Sequence, residues 1–111
     1  MGREMIFELR IYEPAERRAE ALRARFENEV VPRFAKHGIE LMGVFQSPEA
    51  PGRLTYLTRY ADEDARKRAW ASFGADPDWA AAKAASEANG PLMKSQTISV
   101  LEPIIGGLPL T

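Results

Sequence analysis

The sequence predicts an α+β fold of the ferredoxin-like type, in which helices cover one face of a four-stranded antiparallel sheet. Two observations lead to this expectation. Four short segments have the character of strands and are separated by helical segments in the order βαββαβ, with the second helical segment broken in two. A short linker that suits a hairpin joins the two middle strands, and the two helical segments supply the crossovers.

The first strand and the first helix are predicted in the N-terminal third of the chain. A strand is expected at residues 5–12, because apolar side chains alternate with polar or aromatic ones from Phe7 to Tyr12. A long helix is expected from Pro14 to about Lys36, because apolar residues recur there at steps of three or four: Ala19, Leu22, Phe26, Val30 and Phe34. Pro32 is expected to kink this helix or to end its first part. The opposite face, which includes Arg25, is expected to be solvated.

The remaining elements follow from strand patterns and helix caps. Asp62 and Asp76 stand where helix N-caps are expected, and Gly90 can take the left-handed conformation that ends a helix. The expected strands are 39–46, 54–60 and 93–101, and the expected helices are 62–73 and 76–89. Residues 1–111 are therefore expected to form a single domain with a core at about 5–102 and an extended C-terminal arm at 103–111.

The composition argues against several classes of function. Lys and Arg number 15 and Asp and Glu 16, so there is no basic excess that would bind nucleic acid. The absence of cysteine excludes disulfides and thiolate chemistry. Helix starts explain the clustered acids, so no metal site is expected. No Gly-rich phosphate loop precedes a helix, and no cofactor is expected. The N-terminal segment lacks a long apolar stretch, and we expect a cytoplasmic protein without a membrane span.

Apolar residues occur on both faces of the expected strands. On the second strand, Leu41 and Phe45 alternate with Met42 and Val44. Since helices cover only one face of such a sheet, the other face would be a large exposed apolar surface, which soluble monomers avoid. The sequence therefore predicts a homodimer in which this face packs against its copy.

Several sequence blocks, in a consistent order, carry a resemblance to a known family. They are an E-L-R-x-Y-like first strand at 8–12, V-x-x-F-x-K-H-G at 31–38, Y-L-x-x-Y at 56–60, the helix from Arg66 to Trp70, and D-P-D-W at 76–79. With these blocks, residues 5–103 resemble the NIPSNAP family. The resemblance implies a dimeric α/β barrel. The wider superfamily includes cofactor-free monooxygenases, isomerases and haem-binding enzymes, and eukaryotic NIPSNAP members are linked to protein interactions, so fold analogy does not select a function.

The first candidate site is the row Glu8, Arg10 and Tyr12, which should project from one face of the first strand. A carboxylate, a guanidinium and a phenol at alternate positions could bind and polarise a carbonyl or an enolate. The same side chains could instead form a satisfied polar ladder inside the dimer barrel, with Glu8 paired to Arg10 or to Arg59.

His37 is the one histidine of the chain and the second candidate. It could act as a catalytic base, or as a cation that stabilises the C-terminal end of the helix beside Gly38. Haem ligation would also have to use His37. No Ser-His-Asp site is predicted, because no serine lies in a nucleophile-elbow context.

Tyr56, Trp70 and Trp79 are candidate ligand-binding residues, with Tyr60 and Phe73 near them in the pattern. They could line an apolar pocket under the helices, or they could be ordinary core residues. The alanines between 80 and 88 favour a pocket, because their small side chains fill little space.

These patterns predict binding of a small hydrophobic or aromatic metabolite, with a cofactor-independent reaction of monooxygenase or isomerase type as a further step. The catalytic candidates are His37, Arg10 and Tyr12, and the ligand-binding candidates are Glu8, Tyr56, Trp70 and Trp79. The alternative is a non-enzymatic homodimeric protein-interaction module that docks through its C-terminal arm, residues 102–111.

Overall fold

The computed structural model of the chain describes residues 5–106. Four strands form one antiparallel sheet: β1 (Ile6–Pro14), β2 (Glu40–Phe45), β3 (Leu54–Tyr60) and β4 (Met93–Leu101). Their order across the sheet is β2-β3-β1-β4. The predicted βαββαβ order and the ferredoxin-like α+β class are confirmed.

The first helical segment begins later than predicted. Pro14, expected to open the helix, is the last residue of β1 and pairs with Met93. The amide of Ala15 then donates to the carbonyl oxygen of Leu92 at 2.9 Å, so the chain stays beside the start of β4 before it turns. The segment consists of four pieces: helix α1 (Ala19–Arg25), a π-helical turn (Phe26–Val30), helix α2 (Val31–Phe34) and a 3-10 turn (Ala35–His37).

Pro32 explains the π-helical turn. Proline has no amide hydrogen, so the carbonyl of Asn28 lacks its usual donor, and the amide of Val31 bonds to a carbonyl five residues back. The wider turn also improves packing. In a regular α-helix, each side chain is displaced by about 40° around the helix axis from the side chain four residues earlier. The π turn counteracts this rotation and keeps four apolar residues in the core: Leu22, Phe26, Val30 and Phe34.

The second helical segment consists of α3 (Glu63–Gly74) and α4 (Pro77–Ser86). The carboxylates of Asp62 and Asp76 accept hydrogen bonds from backbone amides in the first turns, at 2.8 and 2.9 Å. Both predicted N-caps are thus confirmed. Helix α4 ends before residue 89, the predicted end, and Gly90 follows with a φ of 115°, the left-handed conformation predicted for it.

The helices pack on the sheet face that carries the even-numbered residues of β1 and β3. Aromatic rings connect the two layers: Phe26 contacts Tyr12 and Tyr56, and Phe34 contacts Tyr56 and Trp70. This aromatic cluster forms the centre of the core, with ring centres 4.8 to 6.3 Å apart. It sets the spacing between sheet and helices.

The opposite side of the sheet, the apolar sheet face, has no helix on it within residues 5–106. Because side chains alternate along a strand, the odd-numbered residues of β1 and β3 and their partners point to this side. Its apolar members are Phe7, Leu9, Ile11, Phe45, Leu57 and Leu101. Phe45 is 58% exposed and Leu101 43%. The predicted second apolar face is therefore present.

None of the helices within residues 5–106 combines the length and the apolar character needed to cross a bilayer. In the same part of the chain, no three His, Asp or Glu side chains gather into a group that could hold a metal ion. Residues 102–106 belong to no helix or strand, and the rest of the predicted C-terminal arm, 107–111, lies outside the described residues.

Candidate ligand-binding site

A cavity of about 390 Å³, the Arg10 cavity, lies between the sheet and the helices. Strand β1 contributes Arg10 and Tyr12 to its wall. Helices α3 and α4 contribute Trp70, Phe73 and Trp79. Sites for small organic molecules typically have this size and this lining of aromatic side chains with a few polar groups. The fold therefore brings four of the predicted site residues to one cavity.

Glu8, which does not itself line the cavity, fixes the position of Arg10. The Glu8 carboxylate is fully buried and accepts hydrogen bonds from Arg10 Nε and from Arg66 Nη1, each at 2.6 Å. Arg66 is also held by Glu63, which lies one turn earlier in α3, at 2.8 Å. Two carboxylates thus balance two guanidiniums, and the buried charge of Glu8 is compensated on both of its oxygens.

The ion pairs favour the charged forms of these groups. Burial by itself would lower the pKa of Arg10, but its hydrogen bond to Glu8 and the neighbouring electrostatic interactions raise that pKa above its usual value. The hydrogen bond to Glu63 raises the pKa of Arg66, and Arg66 in turn lowers the pKa of Glu63. Arg10 therefore presents a permanent positive charge beside the cavity.

The guanidinium of Arg10 stacks on the indole of Trp70, with its central carbon 3.6 Å from the ring centre. Trp70 Nε1 donates to the hydroxyl of Tyr60 at 2.7 Å, and this hydroxyl shares a further hydrogen bond with Thr58, also at 2.7 Å. Burial raises the pKa of Tyr60 to about 12, so its phenol stays protonated at neutral pH. A hydrogen-bond chain from β3 thus fixes the plane of Trp70 and the guanidinium stacked on it.

Tyr12 completes the row on β1. Its hydroxyl shares a buried hydrogen bond with the hydroxyl of Tyr56 at 2.5 Å. Tyr56 is fully buried, and burial raises its pKa far above the usual value for tyrosine. Tyr56 lies behind Tyr12 and does not line the Arg10 cavity. Its contribution is to hold the Tyr12 ring in place.

Arg25 and Trp79 form a second pair of cation and aromatic ring in the cavity wall. The sequence places Arg25 on a solvated face, and this prediction is wrong, because its side chain is only 5% exposed. Arg25 Nη1 donates to Ser86 at 3.1 Å and to Glu87 at 2.8 Å, so the end of α4 covers it. The guanidinium carbon lies 5.5 Å from the ring centre of Trp79.

His37 lies outside the Arg10 cavity. Its Nδ1 shares a hydrogen bond with Ser72 Oγ at 2.6 Å, and its Nε2 is 2.7 Å from Asp76 Oδ2. Lys36 Nζ contacts the same carboxylate oxygen at 3.0 Å. The hydrogen bond from His37, followed by that from Lys36, lowers the pKa of Asp76 far below its usual value. The His37 ring packs on Phe73, which separates it from the cavity.

A second depression, of about 550 Å³, lies between the first helical segment and the edge strand β2. Apolar side chains such as Leu41 and Val44 form much of its wall. Its charged residues, Arg23 and Glu27, contact each other at 3.6 Å and are both more than half exposed. Among the described residues that line it, no buried polar group is fixed in place, so it offers less recognition chemistry than the Arg10 cavity.

The predicted site residues thus separate into three groups. At the cavity wall are Arg10, Tyr12, Trp70 and Trp79. Glu8 and Tyr56 lie directly behind Arg10 and Tyr12 and position them. His37 belongs to a separate cluster with Ser72 and Asp76. Of the two pairings considered for Glu8, the one with Arg10 is present, whereas Arg59 binds Glu40.

Sequence reasoning missed Arg66, Arg25 and the contact of Ser72 with His37. Arg66 could have been found, because it precedes Trp70 by four residues and so lies on the same face of α3. No local pattern marks Arg25, since its burial depends on where α4 packs. The Ser72–His37–Asp76 cluster joins the end of the first helical segment to the junction of α3 and α4, which is distant in sequence, and its hydrogen bonds tie these parts together.

Comparisons with known proteins agree on the fold. A family model described as NIPSNAP matches residues 7–105. A NIPSNAP-like domain protein of Burkholderia xenovorans has a similar structure, with 25% identity, a TM-score of 0.81, and coverage of 99% of this chain and 94% of that chain. A NIPSNAP family protein of unknown function from Agrobacterium tumefaciens is 20% identical, with a TM-score of 0.80 and coverage of 100% and 97%.

The fold similarity extends beyond these proteins. An antibiotic biosynthesis monooxygenase-like protein of Bacteroides thetaiotaomicron is 22% identical, with a TM-score of 0.70 and 97% of each chain covered. At this identity the likeness concerns the fold alone. Among curated proteins, none matches this chain.

Replacing Glu8 tests the network behind Arg10. Glu8→Gln leaves two guanidiniums facing an uncharged amide in a buried position, and we expect the free energy of unfolding to fall by about 3 kcal/mol. Urea denaturation followed by tryptophan fluorescence measures it. The control Glu40→Gln removes an exposed partner of Arg59 and should change stability little. Equal effects of the two variants would show that the Glu8 network is not a buried ion pair.

The low pKa of Asp76 predicts a pH-dependent contribution to stability. A carboxyl whose pKa is lower in the folded than in the unfolded chain stabilises the fold above the unfolded value, about 4, and loses this effect as the pH falls further. The difference in unfolding free energy between wild type and Asp76→Asn should therefore be largest above about pH 5 and shrink in acid. Denaturation at a series of pH values measures it.

The matched control for Asp76 is Asp62→Asn at the other N-cap. Asp62 has no cationic partner within residues 5–106, and asparagine caps helices as well as aspartate does. The stability difference between this control and wild type should show no comparable decrease in acid. A constant difference between wild type and Asp76→Asn across the pH series would contradict the assignment.

Proposed function

The chain belongs to the NIPSNAP family, and we propose that it binds a small aromatic or hydrophobic molecule in the Arg10 cavity. The observation that carries the proposal is the fixed stack of Arg10 on Trp70 at the cavity wall. Glu8 holds Arg10 from behind and Tyr60 holds Trp70, so both groups are oriented before a ligand enters. Such preorganisation lowers the entropic cost of binding.

A cofactor-independent reaction on the bound molecule is the second part of the proposal. Arg10 can orient and polarise a carbonyl oxygen, and Tyr12 presents its side chain on the same strand face. An isomerase-type reaction would pass through an enolate. A monooxygenase-type reaction would add dioxygen, as the oxidant, to that enolate, leaving one oxygen atom in the product and releasing the other as water. Both reactions would use Arg10 and Tyr12. His37 as the base stays a prediction. Because its ring lies behind Phe73, turnover that survives in His37→Gln would assign the proton transfer to another group.

The binding proposal predicts an adduct in native mass spectrometry. Protein purified without ligand stripping, or incubated with the neutral bicyclic probe 2-naphthamide, should carry one additional discrete mass per chain. Trp79→Ala removes part of the cavity wall and should lower the occupancy several-fold. The control Val44→Ala lies at the second depression and should retain the adduct. Wild-type protein without an adduct under both conditions, or equal occupancy in Trp79→Ala, would contradict the proposal.

We also propose that two copies pair through the apolar sheet face, as the sequence predicts. Leu9 and Ile11 lie in its middle, and Phe45 and Leu101 at its edges are about half exposed in the single chain. A two-fold axis would bring the same face of two copies together and remove it from water. The helices would then lie on the outside, and each subunit would keep its own Arg10 cavity.

A charge in the middle of the apolar sheet face should prevent this pairing. We expect wild-type protein to sediment at twice the chain mass and Leu9→Lys to sediment as a monomer, because an unpaired ammonium would be buried in the interface. Analytical ultracentrifugation measures this. Ala81→Lys adds the same charge on the exposed surface of α4 and should leave the dimer intact. A monomeric wild type, or a dimeric Leu9→Lys, would contradict the pairing.

One observation supports the alternative of a protein-interaction module. Ile104 is 94% exposed and Ile105 64%, in a segment that belongs to no helix or strand. Contiguous exposed apolar surface is a feature of protein-interaction sites, and these two side chains are adjacent in the chain. The same mass measurement distinguishes the two functions, because an interaction module predicts a dimer whose Arg10 cavity is empty under both conditions.

A further inference from the structure

The residues that line the Arg10 cavity have charges of only one sign. Arg10, Arg25 and Lys83 are cationic, and none of the described lining residues is Asp or Glu. The carboxylates that balance the two arginines, Glu8 and Glu87, bind them from outside the cavity lining. A molecule inside the cavity therefore meets hydrogen-bond donors of positive charge and apolar rings.

The free end of Arg10 is accessible, and Arg10 lines the cavity. Within residues 5–106, its side chain forms a single hydrogen bond, from Nε to Glu8. No buried side-chain nitrogen or oxygen in this part of the chain lacks a partner, so the two terminal nitrogens of Arg10 must be accessible. They remain available as two parallel donors, a geometry that matches the two oxygens of a carboxylate.

Arg25 is a second guanidinium held by a carboxylate, on the helix side of the cavity. Its Nη1 is bound to Ser86 and Glu87, and its guanidinium lies over Trp79. Lys83 lies on α4, one turn before the C-cap residue Glu87. It is exposed and forms no ion pair within residues 5–106. Its flexible ammonium can add long-range attraction for an anion at the cavity. Two arginines held by carboxylates and one lysine thus place positive charge around the same cavity.

The proposal that follows rests on the proposed function, since it concerns the same cavity. From the one-signed lining and the accessible fork of Arg10, we propose that the ligand is a flat apolar molecule that bears one carboxylate. The carboxylate accepts two hydrogen bonds from the terminal nitrogens of Arg10. The ring system packs on the apolar wall formed by Phe73, Trp79 and Ile98.

The apolar part of the lining favours a carboxylate over a phosphate. Transfer of a charged group out of water is costly, and the cost rises with the charge that must be desolvated. A monoanion needs one fork of donors, which Arg10 supplies. A planar acid also matches the aromatic wall, whereas a doubly charged phosphate would have to lose more hydration beside Phe73 and Trp79.

Matched probes test the charge requirement. We expect the full-length protein to bind 2-naphthoate at least about tenfold more tightly than 2-naphthamide in isothermal titration calorimetry, since charge-assisted hydrogen bonds are worth that difference. The two probes share the same ring and differ in charge. Raising the ionic strength should weaken binding of the acid and leave the amide unchanged.

Variants of the cations identify the group that binds the carboxylate. Arg10→Lys keeps a positive charge but loses the fork, and should reduce the affinity for 2-naphthoate about tenfold with little effect on 2-naphthamide. Lys83→Gln lies on the exposed surface, so folding is not at risk, and it should weaken binding of the acid a few-fold and reduce its salt dependence. Lys67→Gln, an exposed position of α3 outside the cavity lining, is the control and should bind like wild type.

The outcomes separate the two proposals. Equal affinity for acid and amide, or tighter binding of the amide, would overturn the carboxylate inference and leave the binding function standing. Absence of binding for both probes would contradict the binding function as well. If Arg10→Lys fails to fold, as circular dichroism would show, Lys83→Gln decides: a salt dependence unchanged from wild type would overturn the inference.

Discussion

A buried carboxylate constrains this structure more than any other group. Glu8 has no contact with solvent, so its charge must be compensated by protein, and Arg10 and Arg66 do this by each binding one of its two oxygens. An apolar residue in this place could stabilise the fold equally well. We therefore infer that the network serves to position groups: Glu8 fixes Arg10, Arg10 stacks on Trp70, and Trp70 bonds to Tyr60.

The two faces of the sheet consequently differ: one borders the Arg10 cavity, and the other is an apolar surface. On the helix side, side chains of β1 and β4, together with side chains of the helices, enclose a cavity. On the other side, the same strands present the apolar sheet face. The period-two alternation of β1 allows both at once, since neighbouring residues such as Glu8 and Leu9 point to opposite sides.

Local patterns in the sequence were sufficient for most of the fold and for part of the site. The alternation in β1 and the caps at Asp62 and Asp76 depend on neighbouring residues, and the structure has them. Gly90 has the predicted left-handed conformation, but helix α4 ends earlier, at Ser86. The helix start at Pro14 was wrong because β1 continues through it to pair with β4. The burial of Arg25 and the environment of His37 depend on how distant elements pack, which no local pattern records.

The central claim is that Arg10 is held ready to bind a ligand in the cavity beside Trp70. A crystal structure of the protein soaked with 2-naphthoate tests it most directly. We expect the carboxylate within about 3 Å of both terminal nitrogens of Arg10, with the Glu8 hydrogen bond retained and the rings against Trp79. A ligand bound elsewhere, or one bound in the cavity with its carboxylate turned away from Arg10, would contradict the claim.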